Sequence, residues 1–305
     1  MTIQLASPNG LKKAMSNQTT VTEFLLLEFS DSRELQLLHF AIFLAAYLAA
    51  LIGNLLVIMV VALDHHLHTP MYFFLMNLSI LDLGSTSVIV PKSLVLLFFF
   101  FGTTNFAFLT IMAYDRYIAI CKPLHYETIM KRSACVQMAV SAWVSAIPYS
   151  ALHTGNTFRL PFCHSNIINK FFCDVPQLLQ LSCSDSSLSE FGILIFSACL
   201  YFICFGFIVV SYVQIFSVVL RIPSRQGRHK AFSTCIPHLV VVSLLIFTAT
   251  VAYMKPRSNS SSGLDLMGDV VYAILPPIVN PIIYSIRNKE IKAALGKYIA
   301  WNLFS

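Results

Sequence analysis

The chain alternates between long apolar runs and short polar breaks. Crossing about 30 Å of hydrocarbon takes roughly 20 apolar residues of helix. Leu37 to Leu63 meets that length, interrupted only by His39 and Asn54. Asp64-His65-His66-Leu67-His68-Thr69-Pro70 follows as a short loop, with Pro70 suited to opening the next helix. Further spans are predicted at about Ala134 to Leu152, Leu188 to Leu220, Ala231 to Met254 and Leu266 to Ile286, with a polar, cysteine-bearing loop at 153–187. Residues 1–36 are mixed and polar.

Met71 to Cys121 holds no hydrophilic loop. As one helix it would reach about 75 Å, more than twice the bilayer core. It must therefore turn back. Pro91-Lys92-Ser93 is the corner, because Pro removes a helical donor and Lys92 needs water or headgroups. Two spans result, about 71–90 and 96–120. With seven spans, the loops at 64–70, 121–133 and 221–230 and the tail after 286 share one side. That side carries Arg116, Lys122, Lys131, Arg132, Arg221, Arg225, Arg228, Lys230, Arg287, Lys289, Lys292 and Lys297. Basic residues collect on the cytoplasmic side, so the amino terminus is expected outside; six spans would scatter the basic loops over both faces.

The expected architecture is an all-α membrane protein: an extracellular segment at 1–36, a seven-transmembrane helix bundle at 37–286 and a cytoplasmic tail at 287–305. From Asn288 to Leu303, Ile291, Ala294, Leu295 and Ile299 share one face opposite Lys289, Lys292 and Lys297, which predicts a short amphipathic helix on the inner leaflet. No inverted repeat of the transporter kind is visible.

Composition agrees. Hydrophobic residues make up 57% of the 305 and charged residues 11%, far from the balance of a soluble domain. The net charge of +6 reflects topology here, so nucleic acid is a poor partner. The first thirty residues contain no basic segment leading into a cleavable apolar core, and the first span is expected to serve as the targeting signal. Asn17-Gln18-Thr19 and Asn259-Ser260-Ser261 are glycosylation acceptor patterns on the expected outer side, whereas Asn77-Leu78-Ser79 lies within a span. His65, His66 and His68 are residue types that suit zinc or copper, but such a cluster at an interface is ordinarily solvated, and no metal or cofactor is implied. No Ser or Cys stands at a recognisable spacing from a His and a carboxylate, so enzymatic catalysis is rejected.

The chemistry concentrates at Met112-Ala113-Tyr114-Asp115-Arg116-Tyr117, where an apolar run ends. An acid, an arginine and a tyrosine at the mouth of a span are costly and mark a functional candidate; the plainer alternative is an interfacial anchor, with Arg116 reaching to headgroups and Tyr117 in an aromatic belt. Asn54, Asp82 and Asn280 lie in mid-span, where hydrogen bonding between helices or an ion site would accommodate them.

Several stretches together resemble the olfactory receptors among the rhodopsin-like G-protein-coupled receptors: Pro70-Met71-Tyr72-Phe73-Phe74-Leu75, Met112 to Tyr117 continuing through Ala119-Ile120-Cys121-Lys122-Pro123-Leu124-His125-Tyr126, Ser211-Tyr212, Lys230-Ala231-Phe232-Ser233-Thr234-Cys235, and Pro277-Ile278-Val279-Asn280-Pro281-Ile282-Ile283-Tyr284-Ser285. The resemblance implies a plasma-membrane receptor for small volatile organic ligands that activates a stimulatory heterotrimeric G protein and raises cyclic AMP. It implies a coupling switch of Asp115, Arg116, Tyr117, Tyr212, Lys230 and Tyr284, in which Asp115 holds Arg116 at rest and an outward swing of the span beginning near Lys230 frees it. Ligand contacts are expected from Phe98, Phe99, Gly102 and Thr103, from Phe196, Leu200 and Tyr201, from Thr250 and Tyr253, and from Ala273. Asn54, Asp82 and Asn280 resemble an interior network that holds sodium in many relatives, and Asn105, standing where the family pattern commonly has an acid, argues against sodium here.

The resemblance also implies a bridge within the outer loop, Cys163 to Cys183. A second bridge would run from Cys173 to the outer end of the third span, but no Cys precedes Cys121, leaving Cys173 unpaired. By comparison with the family, the first outer loop and the start of the third helix are missing between Pro91 and Phe98. A native disulfide contributes about 2–4 kcal/mol, so a signalling-defective receptor is one alternative. A transporter or channel is the other; it would need charge along a path, and Asp82 is the only acid well inside a span.

Overall fold

The computed structural model describes residues 2–6, 23–27, 33–89, 95–159, 167–168, 188–254, 275–284, 291–294 and 296. Among the described residues there are six long helices: α1 (Arg33–Leu63), α2 (Pro70–Ile89), α3 (Val95–Cys121), α4 (Arg132–Arg159), α5 (Leu188–Leu220) and α6 (Arg225–Met254). A further helical stretch, α7, covers 275–284. Helices suit such sequences because hydrocarbon offers no partner to a backbone amide or carbonyl, and an α-helix satisfies both within one segment. Among the described residues five helices, α1 and α3 to α6, are long and apolar enough to cross a membrane. The run from 71 to 121 is two helices, which pack against each other.

The turns show local logic. Asp64 accepts the His66 amide at 2.9 Å and caps a single 3-10 turn, His65–Leu67, which drops Leu67 into the core. Pro70 then opens α2, where its missing N–H costs nothing. The segment 221–230, expected as loop, is partly helix. Ser224 accepts the Gly227 amide through its hydroxyl at 3.2 Å and the Arg228 amide through its carbonyl at 3.0 Å, so α6 starts in water, ahead of its apolar stretch. Pro148 and Pro237 lie inside α4 and α6, each removing one backbone bond.

Outside the bundle, Thr2–Ala6, Glu23–Leu27 and Ile167–Ile168 form a three-stranded parallel sheet in that order, with Thr2 opposite Glu23 and Leu25 opposite Ile167. This ties the amino-terminal segment to the stretch between α4 and α5, which is shorter than the loop expected at 153–187 because α4 runs on to Arg159. Neither strand pairing was legible in stretches that read as polar. At the other end, Ile291 and Ala294 are buried while Lys292 is exposed.

α3 is the hub, touching α2, α4, α5 and α6. Its Phe108, Leu109, Met112, Ala113 and Ile118 are buried against Phe74 and Leu78 of α2 and Ile215 of α5. The outer faces of α1 and α5 remain apolar and exposed, as lipid-facing surfaces must. Where lipid competes with protein for apolar contact, small residues let helices approach. Gly53 lies against Pro281, and a β-carbon on Gly84 would run into the Phe101 ring.

Replacing Gly84 by Val should therefore destabilise the bundle by about 1–3 kcal/mol through overpacking. Thermal unfolding in detergent would read it, and Phe101→Ala in the same chain should recover part of the loss. An unchanged melting temperature for Gly84→Val would show that α2 and α3 do not meet closely there.

Candidate functional site

The end of α3 assembles the first part of the site. Asp115 and Arg116 are 1% and 6% exposed, so neither is a solvated interfacial charge. Arg116 Nη1 lies 3.9 Å from Asp115 Oδ2, a loose pair. The shorter contact of the carboxylate comes from Tyr126, whose hydroxyl donates to Asp115 Oδ1 at 2.8 Å. Tyr126 reaches it because Lys122-Pro123 ends α3 in a 3-10 turn that leads into a one-turn helix, Tyr126–Ile129. Burial first, and then the Asp115 charge, hold the Tyr126 phenol well above its ordinary range, so it stays a donor. Tyr117 is half-buried, its ring 5.8 Å from Lys122 Nζ.

A second cluster ties three helices together one level deeper. His238 of α6 is fully buried, with Nε2 2.9 Å from the Leu109 carbonyl of α3 and Nδ1 2.9 Å from the Tyr212 hydroxyl of α5. A carbonyl only accepts, so Nε2 carries the proton. Nδ1 is then the acceptor, and Tyr212 donates to it. Tyr212, Cys235, His238 and Tyr284 all lie within electrostatic reach of Arg116. In this arrangement Arg116 Nε and the Tyr284 hydroxyl are buried with no partner among the described residues. Lys230 is exposed, its carbonyl accepting the Ser233 and Thr234 hydroxyls.

The mid-span residues form the third part. Asp82 accepts from Asn280 Nδ2 at 2.9 Å through one oxygen and from Asn105 Nδ2 at 3.3 Å through the other, joining α2, α3 and α7. Asn54 donates to the Ala50 and Pro277 carbonyls, both at 2.9 Å. Each Asp82 oxygen thus has an amide donor, whereas the Oδ1 atoms of Asn54 and Asn280 are buried with no hydrogen-bond partner among the described residues. Among the described residues no group of three His, Cys, Asp or Glu could hold a metal. The His65 and His68 rings meet edge to face at 5.2 Å.

Comparison with known proteins sets these parts in context. A family profile described as olfactory receptor matches residues 98–301, and one described as the rhodopsin-family 7 transmembrane receptor matches 53–96. Human olfactory receptor 14I1 is 50% identical over 308 aligned positions, covering 95% of this chain and 97% of that one. Human olfactory receptors 14L1 and 14A16 are 48% and 47% identical, each over 95% of this chain and over 94% and 99% of their own. The chain belongs to the olfactory receptor family. It is thus a multi-pass membrane receptor rather than an enzyme. The 308 aligned positions exceed its 305 residues, so the relative has residues with no counterpart here. The two profile matches meet between 96 and 98, the place where a segment was read as missing.

In this olfactory receptor the expected ligand contacts among the described residues are spread over α3, α5 and α6. Phe99 stacks on His153 of α4 at 4.5 Å, and His153 Nε2 lies 2.7 Å from the Ser197 hydroxyl of α5. Tyr201 stacks on Phe106 at 4.9 Å, joining α5 to α3. Phe98 meets Phe99 edge on, and Thr103 is half-buried. Gly102 is exposed with open space beside it, and Phe196 and Leu200 point outward. Thr250 lines a crevice between α5 and α6. The Tyr253 side chain, Ala273, Cys163, Cys173, Cys183, Asn17, Asn259 and the Pro91-Lys92-Ser93 corner lie outside the described residues.

Sequence reasoning missed His238 and the role of Tyr126. An imidazole in an otherwise apolar span, next to Pro237, was the available signal. Tyr212→Phe and His238→Phe should each cost about 1–3 kcal/mol by orphaning the buried partner, and the pair should cost less than the sum. A double-mutant cycle on thermal unfolding measures this. Strict additivity would mean that the two side chains share no bond.

Proposed function

We propose that this olfactory receptor binds small volatile organic molecules in the outer half of its bundle and activates a stimulatory heterotrimeric G protein, raising cyclic AMP at the plasma membrane. Its amino terminus is extracellular, and Asp115, Arg116 and the loops beside them face the cytosol. The observation that carries this reading is the His238 bond to both α3 and α5, directly beside a buried arginine that lacks a full set of partners.

The physical case is a two-state element. At rest α6 is held against α3 and α5 by the imidazole, and the Asp115 carboxylate, steadied by Tyr126, sits beside Arg116. Moving the inner end of α6 outward gives up both His238 bonds. It also releases Tyr212, which can then turn toward Arg116 Nε and the Tyr284 hydroxyl, two of the buried groups with unmet hydrogen bonds among the described residues. One set of buried bonds is exchanged for another, so the states differ by little. A ligand that fits one arrangement of the outer halves, and a G protein that fits the opened inner face, each bias the same equilibrium.

A transporter finds less support. Asp82, the intramembrane acid such a path would use, has both oxygens committed to amides of neighbouring helices.

A panel of volatiles against a cyclic-AMP reporter, with surface staining of an amino-terminal tag, tests the reading. Wild type should respond to at least one compound. Arg116→Ala should lose the response with staining unchanged, and His238→Phe should raise the basal signal several-fold. A response that survives Arg116→Ala would remove the coupling role, and flux of a volatile's ionic congener into proteoliposomes would favour transport. Restoring the missing outer segment measures what its absence costs: equal responses would show that the shortened chain signals normally.

A further inference from the structure

The crevice between α5 and α6 opens sideways, toward lipid. It measures about 620 Å³ and is lined by Phe205, Val209, Tyr212, Ser243, Ile246 and Phe247 among others. Val209 and Phe247 are 42% and 66% exposed, so in a membrane its mouth is hydrocarbon. A second apolar cleft lies on the other side of Ser243, against Val240 and Leu244.

Ser243 is the anomaly in this wall. Hydroxyls on a membrane helix ordinarily bond a carbonyl one turn back. The other α6 hydroxyls do so: Ser233 and Thr234 to Lys230, Thr248 to Leu244, and Thr250 to Ile246, at 2.8 to 3.0 Å. Ser243 is exposed and bonds to none of the described residues. It stands twelve residues beyond Ala231, about 18 Å into a core of about 30 Å, beyond the reach of headgroups or water.

We propose that this crevice is a second, membrane-facing ligand site, taken by a small neutral organic molecule that dissolves in hydrocarbon and carries one hydroxyl or carbonyl oxygen, which Ser243 hydrogen-bonds. A lipid chain has no polar atom at that depth, and a sterol keeps its hydroxyl at headgroup level; neither answers the unpaired hydroxyl. A molecule with a single oxygen and a short apolar body does. The volume suits it. Its consequence for signalling rests on the receptor reading above, because Tyr212, the donor to His238, lines the same crevice. An occupant wedged between α5 and α6 therefore touches the bond that holds them.

The test uses the full chain in lipid nanodiscs and a diazirine-bearing octanol, with the label mapped by peptide mass spectrometry. Labelling should concentrate on 205–216 and 239–250 relative to lipid-facing Ile52 and Leu55 of α1. Ser243→Ala should lower the crevice label about three- to tenfold, the worth of one hydrogen bond, and leave α1 unchanged. Unlabelled octanol should compete and octane should not. Equal labelling of α1 and the crevice, or a label indifferent to Ser243→Ala, would overturn the proposal. Since no signalling is read, failure here is separate from failure of G-protein coupling.

Discussion

Polar side chains held at bilayer depth must find partners in the protein, and in this chain α3 supplies most of them. Its Leu109 carbonyl takes the imidazole of α6, its Asn105 amide reaches Asp82 of α2, and its Asp115 carboxylate takes the phenol of Tyr126. In hydrocarbon an unpaired polar group costs several kcal/mol, whereas apolar side chains gain little by leaving lipid for protein. The helices are thus registered by a few hydrogen bonds, and packing fills in around them. Phe108, Leu109 and Met112 are buried because α3 is central, and it is central because the polar contacts converge on it.

The same economy of bonds keeps the proposed switch within a ligand's reach. Each hydrogen bond adds about 0.5–1.5 kcal/mol net, so the two bonds to His238 hold α6 with only a few kcal/mol. Arg116 Nε and the Tyr284 hydroxyl, both buried and unmet, lower that figure further by penalising the closed arrangement. A gap of about 3 kcal/mol corresponds to somewhat more than a hundredfold in population, within what a small ligand's preference for one state can move. A stronger latch, such as a short buried ion pair in place of the 3.9 Å contact between Arg116 and Asp115, would be harder for a ligand of few atoms to release.

Much of this was legible in the residues. Helix lengths followed from apolar runs, and the break between α2 and α3 from the length a single helix would need. Asp115, Arg116, Tyr212 and Tyr284 came from the resemblance and do gather at one end of the bundle. The early start of α6 was hidden because Ser224 caps a helix in water, where hydropathy gives no signal. His238 was hidden for another reason: a lone histidine in a span does not announce which helices it will face. The scatter of Phe196, Leu200 and Gly102 has the same root, since family placement fixes a residue's level on its helix while neighbouring helices fix its rotation.

The short passage from α2 to α3 leaves the register of the bundle to contacts further along α3. Its polar anchors lie from Asn105 onward, toward the carboxyl-terminal end of the helix. Gly84 and Phe101 bring α2 and α3 together only a few turns from that passage, and Phe99 stacks on α4 at the same level. Phe98 and Phe99, two of the expected ligand contacts, stand close to the start of α3. Asp115 and Arg116 of the proposed switch lie at the opposite end of the same helix. On the proposed reading, whatever the shortened end costs therefore acts first on which ligands are held, and only through them on the arginine at the other end.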